Sequence, residues 1–110
     1  MHKNLRLLYV TTKTKQQASE LGEKIIEQDL AACVNIIPQM ESIYKWNNTV
    51  EKSSETILII KTHISKVQPV TNFILDNHTY DCPCIISINI AEDEGNAEYL
   101  KWLFKESTQR

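Results

Sequence analysis

Three residues with metal-binding side chains, His78, Cys82 and Cys84, fall within seven positions of one another. Imidazole and thiolates suit soft or borderline ions such as Cu(I) and Zn(II). The cysteines form Cys-Pro-Cys, which is not the Cys-x-x-Cys pair of a zinc site. In an extended strand Cys82 and Cys84 point to one side about 7 Å apart. They reach a single ion only if the chain bends at Pro83. The structural alternative has His78 closing a helix end, where a cation is mildly favourable, with both cysteines as packing residues. Cys33, between Ala32 and Val34 in an apolar run, reads as a buried small hydrophobe in a central strand, since no base stands near it in sequence.

A second set has a different chemistry. Tyr44, Trp46 and Tyr80, with one carboxylate, Glu55, and one amine, Lys61, have the composition of a pocket for a small anion or a metabolite, formed between subunits. The same aromatics also suit an interface, where Trp and Tyr act as anchors.

The elements that must position these residues follow from periodicity. Leu5–Thr12 is apolar on both alternating faces, as a central strand requires. Thr14 with Gln17 has the capping-box pattern and predicts a helix to about Gln28, with Ala18, Leu21, Ile25 and Ile26 as its stripe. Leu30–Ile37 reads as a second strand, ended or bent by Pro38, and Ser42–Trp46 resumes extended structure. Asn47-Asn48 suits a tight hairpin turn, since Asn accepts positive φ. Thr49–Thr62 returns as a long strand. Ser65 with Gln68 predicts the cap of a second helix, with Pro69 in its first turn and Val67, Val70, Phe73 and Ile74 facing the core. Pro83–Ile90 is a fourth strand, with Ile86, Ile88 and Ile90 on one face and Ile85 near its start. Gly95-Asn96 introduces a last helix held by Tyr99, Leu100, Trp102 and Leu103. The order β-α-β-β-α-β plus a terminal helix is an α+β, ferredoxin-like antiparallel sheet with helices on one face.

The 110 residues provide one domain, 1–110. Net charge is −2 and the basic residues are scattered. That offers no face to nucleic acid, and the sheet lacks the aromatic-basic signature of an RNA-recognition surface. The run Glu92-Asp93-Glu94 is a solvated loop. No apolar stretch is long enough for membrane insertion, and the start of the chain lacks a signal-peptide pattern. Three cysteines, an odd number, argue against a disulfide framework. Cytoplasmic residence is the expectation.

The returning strand poses a problem of size. Residues Val50–Lys61 would extend about 40 Å, against a diameter of about 34 Å for a compact chain of this length. One end of the long β-hairpin therefore projects, carrying Ile43, Tyr44 and Trp46. Such an edge invites pairing with a second chain, unless the hairpin twists back on its own domain.

Several segments then share one resemblance. Leu30-Ala31-Ala32-Cys33-Val34-Asn35-Ile36-Ile37-Pro38 is similar to the signature of the CutA family. Ser42-Ile43-Tyr44-Lys45-Trp46, Glu55 and Lys61-Thr62 continue it. His78-Thr79-Tyr80-Asp81-Cys82-Pro83 resembles the family's His-Pro-Tyr-Glu-x-Pro, and Tyr99-Leu100-Lys101-Trp102-Leu103 its Tyr-Leu-x-Trp-Leu. The resemblance runs from Leu8 to about Phe104. It implies a ferredoxin-like homotrimer that acts in tolerance of divalent metals, copper above all. Where the family's proposed copper ligands are a Cys closing the first strand and a His pair, this chain has Val10 and Asn77-His78. Cys84 also stands where a Glu commonly follows Pro83.

Two function classes follow. One is a non-catalytic trimeric scaffold or sensor responding to metal ions, copper or another divalent cation. The other is a small-molecule-binding signalling trimer or an enzyme with its site at the subunit junction. No nucleophile triad, phosphate loop or paired catalytic carboxylates support catalysis, so no catalytic residue is assigned. The residues fix no cofactor.

Overall fold

The computed structural model describes residues 2–109, so Met1 and Arg110, the ends of the expected 1–110 domain, lie outside the described residues. Seven elements follow in order: β1 (Leu5–Thr12), α1 (Lys15–Glu27), β2 (Cys33–Trp46), β3 (Thr49–His63), α2 (Ile64–Asn77), β4 (Ile85–Asn89) and α3 (Ala97–Thr108). The four strands form one sheet in the order β2-β3-β1-β4, and every pairing is antiparallel. This is the expected α+β, ferredoxin-like topology. β1 is central, in keeping with its two apolar faces.

Alternation along β1 and β3 sorts the sheet into two faces. Leu8, Val10, Leu58 and Ile60 are fully buried beneath Ala18, Leu21 and Ile25 of α1 and Val70 and Ile74 of α2. Each large side chain buried this way contributes about 1.5–3 kcal/mol. Leu7, Tyr9, Ile57 and Ile59 point to the other face. At one end of that face Leu5 is covered by Leu100 and Leu103 of α3. On β4, Ile86 pairs with Tyr9 and Ile88 with Leu7, so both lie on the open face and are 52% and 48% exposed.

The helix ends show which local rules held. Thr14 Oγ1 accepts from Gln17 N at 3.1 Å, and Gln17 Oε1 accepts from Lys13 N at 3.1 Å. α1 closes with Leu30 N donating to Ile25 O (3.0 Å) and Asp29 N to Ile26 O (3.1 Å). With Asp29 at φ 57° this is a Schellman motif whose left-handed position carries Asp instead of Gly. Lys66 Nζ donates to Asp29 O at 2.6 Å, tying α2 to that turn.

Several expected boundaries need correction. The cap of α2 is His63, whose Nδ1 accepts from Ser65 N at 3.2 Å, and not Ser65. Pro69 accordingly lies inside the helix. β4 begins at Ile85, since residues 82–84 run through a bend and irregular chain. Ile26, expected in the core stripe, is 37% exposed, and Tyr99 and Trp102 are exposed while Leu100 and Leu103 pack. β2 is one strand from Cys33 to Trp46, where two segments broken at Pro38 were expected. It is an edge strand, so Cys33 is half-buried at its start and not enclosed in the sheet centre.

The break in β2 is a bulge. Ile37 pairs with Ile57 and Met40 with Glu55, so Pro38 and Gln39 together face the single residue Thr56. Proline has no N–H to give a ladder and is tolerated at bulges. Gln39 takes φ 64°. One extra residue reverses the alternation downstream. Met40, Ser42, Tyr44 and Trp46 therefore share a face with Ile37, Ile57 and Ile59, the open face of the sheet.

Pairing of β1 with β3 stops at Thr12↔Thr56, whereas β2 and β3 remain paired to Trp46↔Thr49. Beyond Thr56 the hairpin is a two-stranded ribbon of seven rungs, turned by Asn47 and Asn48, both at positive φ as a type I′ turn needs. The ribbon spans roughly 20 Å at ~3.3 Å per residue. It draws the molecule out to 46 × 27 × 21 Å, with a radius of gyration of 14.8 Å, where a compact chain of this length has about 13 Å. The projection expected from strand length is present.

Candidate functional site

Glu55 sits where the ribbon leaves the body of the sheet, one residue past the last pairing with β1. Both its carboxylate oxygens are occupied. Ser42 Oγ donates to Oε1 at 2.5 Å, and Tyr80 Oη donates to Oε2 at 2.9 Å. Burial, then the hydrogen bond and charge of Glu55, push the Tyr80 phenol up to about 12, with Tyr44 adding to the shift. Glu55 thus ties three pieces together: β2 through Ser42, its own strand β3, and the loop between α2 and β4 through Tyr80.

His78 anchors that loop from the other side. It is the residue closing α2. Tyr80 N donates to its Nδ1 at 2.9 Å, so Nε2 carries the hydrogen and donates to Thr11 O at 2.9 Å. The two rings stack at 4.7 Å between centroids. Next along the loop, Gln17 Nε2 donates to Thr79 Oγ1 at 3.1 Å. Both imidazole nitrogens are therefore spent on the backbone of the fold, and no lone pair of His78 is free for an ion in this conformation.

Cys82 is exposed and Cys84 half-buried. Burial raises the Cys84 thiol above its ordinary value, and the Glu55 charge adds to this, against a hydrogen bond with Thr11 that lowers it. Thr11 N donates to Cys84 O at 3.4 Å, pinning the second cysteine beside β1. Among the described residues no group of three or more His, Cys, Asp or Glu converges on a point where an ion could sit.

The aromatic and charged set divides. Glu55, Tyr80 and Tyr44 stand together, joined by Ser42, which sequence reading missed. Its signal lay in the bulge: only when Pro38 and Gln39 count as one rung does Ser42 share a face with Glu55. Trp46 is at the ribbon tip, 64% exposed, paired with Thr49. Lys61 lies six residues from Glu55 along β3, in line with Leu7 and Cys33. There Lys61 Nζ donates to Tyr99 Oη at 3.1 Å and lies 5.3 Å from the ring centroid. One chain does not bring Lys61 or Trp46 to Glu55. A surface depression between α1 and β2 is lined by Gly22, Ile26, Val34 and Ile36 among others and contains none of these residues.

Residues 6–106 match the family model for the CutA1 divalent ion tolerance protein. The chloroplastic protein CutA of Arabidopsis thaliana is 42% identical over 103 residues, covering 94% of this chain and 55% of that protein, so the chain spans about half of that relative's length. The divalent-cation tolerance protein CutA of Thermus thermophilus is 35% identical over 97 residues, covering 88% of this chain and 92% of its own. The crystal structure of CutA1 from Oryza sativa superposes with a TM-score of 0.88 at 39% identity, over 96% of this chain and 95% of that one.

Proposed function

The chain belongs to the CutA1 divalent ion tolerance protein family, and from that premise we propose that it is a homotrimeric, non-catalytic scaffold or sensor in the cell's response to metal ions. The observation that carries this reading is the ribbon together with the open face. Residues 40–55 leave the body of the domain with no third strand. The bulge turns Tyr44 and Trp46 toward the same side as Ile37, Ile86 and Ile88, all of them exposed in a single chain. Aromatic anchors continuous with an apolar sheet face are what an obligate interface presents. Sedimentation at micromolar concentration should give three times 12.7 kDa, and Trp46→Ala should shift the equilibrium toward single chains. A monomer mass for the unsubstituted protein overturns the reading.

A second reading shares this assembly. Glu55, Tyr80 and Tyr44 form one half of a polar, aromatic cluster, and Lys61 stands apart on the same face of the sheet. A neighbouring copy that brings its own Lys61 to Glu55 would complete a junction pocket for a small anion or metabolite. Lys61→Ala and Glu55→Ala then weaken binding of the same small molecule without changing the mass of the assembly. If neither affects any ligand that the trimer retains, the pocket reading fails. Three cysteines, all free among the described residues, suit a reducing compartment, which supports a cytoplasmic location. Antibody detection in separated cell fractions tests it.

A further inference from the structure

We propose that His63 is a proton-sensitive latch for α3, closed while its ring is neutral and released when the ring takes up a proton. The latch lies at one corner of the open face. His63 is the last residue of β3 and pairs with Leu5, so both residues belong to the face that α3 crosses. Several contacts seat α3 there. Leu100 and Leu103 cover Leu5. Near the start of the helix Tyr99 Oη accepts from Lys61 Nζ at 3.1 Å. Near its end the Phe104 ring meets the His63 ring edge to face, with 5.5 Å between centroids and 84° between planes. Past the helix, Lys66 Nζ donates to Gln109 O at 3.3 Å. His63 and Lys66 both belong to the start of α2, so the far half of α3 is held through that turn.

The chemistry of His63 makes this hold conditional. Nδ1 accepts from Ser65 N at 3.2 Å and lies 2.9 Å from Ser65 Oγ, so the neutral ring caps α2. A proton on Nδ1 turns that acceptor into a donor facing a donor. The surroundings also disfavour a cation. The ring stands at the positive N-terminal end of α2. The charged groups that act on it are Arg6 of β1 and Lys66 of α2, both cations, and burial before either of them lowers its value below the ordinary 6.5. α3 faces it with the Phe104 ring alone, and His2 touches that same ring at 5.5 Å. One attraction opposes release, that of an imidazolium for Phe104, and it is outweighed by the helix end and the two cations. The closed form therefore binds the proton less tightly than a form whose ring has turned into water. Release begins as pH falls through 6.5 and is complete below the lowered value. A ring that turns out withdraws its edge from Phe104 and loosens the turn that carries Lys66. The far half of α3 then lifts from Leu5 and Leu103, which are 0% and 1% exposed in the closed form. Their cluster is separate from the core beneath α1 and α2, so it opens as a local unit.

The latch belongs to a single chain, and so goes beyond the trimeric reading and does not depend on it. The test is amide hydrogen exchange on the unsubstituted protein at about pH 7.5 and about pH 5, with exchange times scaled for the intrinsic effect of pH. At the lower pH the amides of residues 101–108 should lose roughly fivefold or more of their protection, about the worth of one helix cap, while those of α1 keep theirs. His63→Ser caps without titrating and should give α3 the same protection at both pH values. Phe104→Leu keeps an apolar side chain beside Leu5 but no ring, so the first turn of α2 should still respond to acid while α3 responds far less. His2→Asn should respond like the parent. Equal protection of α3 at both pH values, a loss shared evenly by α1, a response that persists in His63→Ser or is undiminished in Phe104→Leu, or one that disappears with His2→Asn would each overturn the proposal.

Discussion

At the scale of the residue, the feature with most consequence is the saturated carboxylate of Glu55. A half-buried carboxylate with a donor on each oxygen is more useful as a joint than as a base, and here it joins the ribbon to the loop bearing both cysteines. Tyr80→Phe removes one donor and should cost about 1 kcal/mol of stability at neutral pH, measured by chemical denaturation. The pH dependence has a definite sign. The folded chain holds the phenol proton more tightly than the unfolded chain does, so the stabilisation is complete below pH 10 and is lost as pH rises from there through about 12. Subtracting the profile of Tyr80→Phe from that of the unsubstituted protein should isolate this loss, and a difference that stays flat to pH 12 would mean the bond to Glu55 is absent in solution. Glu55 and Tyr80 were legible in the sequence as residue types fit for a site. Their contact was not, because it depends on where a loop of irregular chain lands. How the two ring nitrogens of His78 are used was equally out of reach, since Nε2–H is given to the Thr11 carbonyl and the Nδ1 lone pair is taken by Tyr80 N–H.

At the scale of the element, sequence signals succeeded where a side chain acts on its own helix and failed where the fold supplied the partner. Thr14 was readable because the cap and its donor are three residues apart. Ser65 resembled a cap equally well, yet His63, the last residue of β3, takes the position, because β3 runs straight into α2 without a loop. A histidine cap works only while Nδ1 lacks a proton. Burial, with Arg6 and Lys66 nearby, lowers the His63 value below its ordinary 6.5. The unfolded chain therefore takes up a proton first as pH falls. The stabilisation is whole above pH 6.5 and is lost as pH drops from there toward the lowered value. His63→Ser, which caps at any pH, should match the parent near pH 7 and be the more stable protein at pH 5. Thermal unfolding at the two pH values decides it, and a parent protein with the same margin at both would remove His63 as the cause. Asp29 provides a second case. A residue with a Cβ holds φ 57° where helices favour Gly, so Asp29→Gly should raise stability by about 0.5–1 kcal/mol, provided Lys66 keeps its bond to the carbonyl.

At the scale of the whole molecule, the shape depends on one inserted residue. The length of the hairpin announced a projection before any fold was known, because twelve extended residues exceed the diameter of a compact domain. Which side chains the projection would present was not legible, since Pro38 reads as a stop and a bulge has no sequence signal that separates it from a break. The bulge decides the outcome. Without it, Ile43 and Lys45 would lie on the face that now displays Tyr44 and Trp46, and Ser42 would point away from Glu55. Inserting one alanine between Glu55 and Thr56, where it faces Gln39, should restore the plain alternation and turn every side chain from Met40 to Trp46 to the other face. The core beneath α1 and α2 is built from Leu8, Val10, Leu58 and Ile60, all outside the ribbon, so far-ultraviolet circular dichroism should stay close to that of the parent. The assembly should fall apart, with a sedimenting mass near that of one chain. Gln39→Gly is the paired control. It keeps the extra residue, relieves a side chain at φ 64° and should leave the mass unchanged while raising stability by about 0.5–1 kcal/mol. If the insertion variant still assembles like the parent, the face carrying Tyr44 and Trp46 is not what holds the copies together.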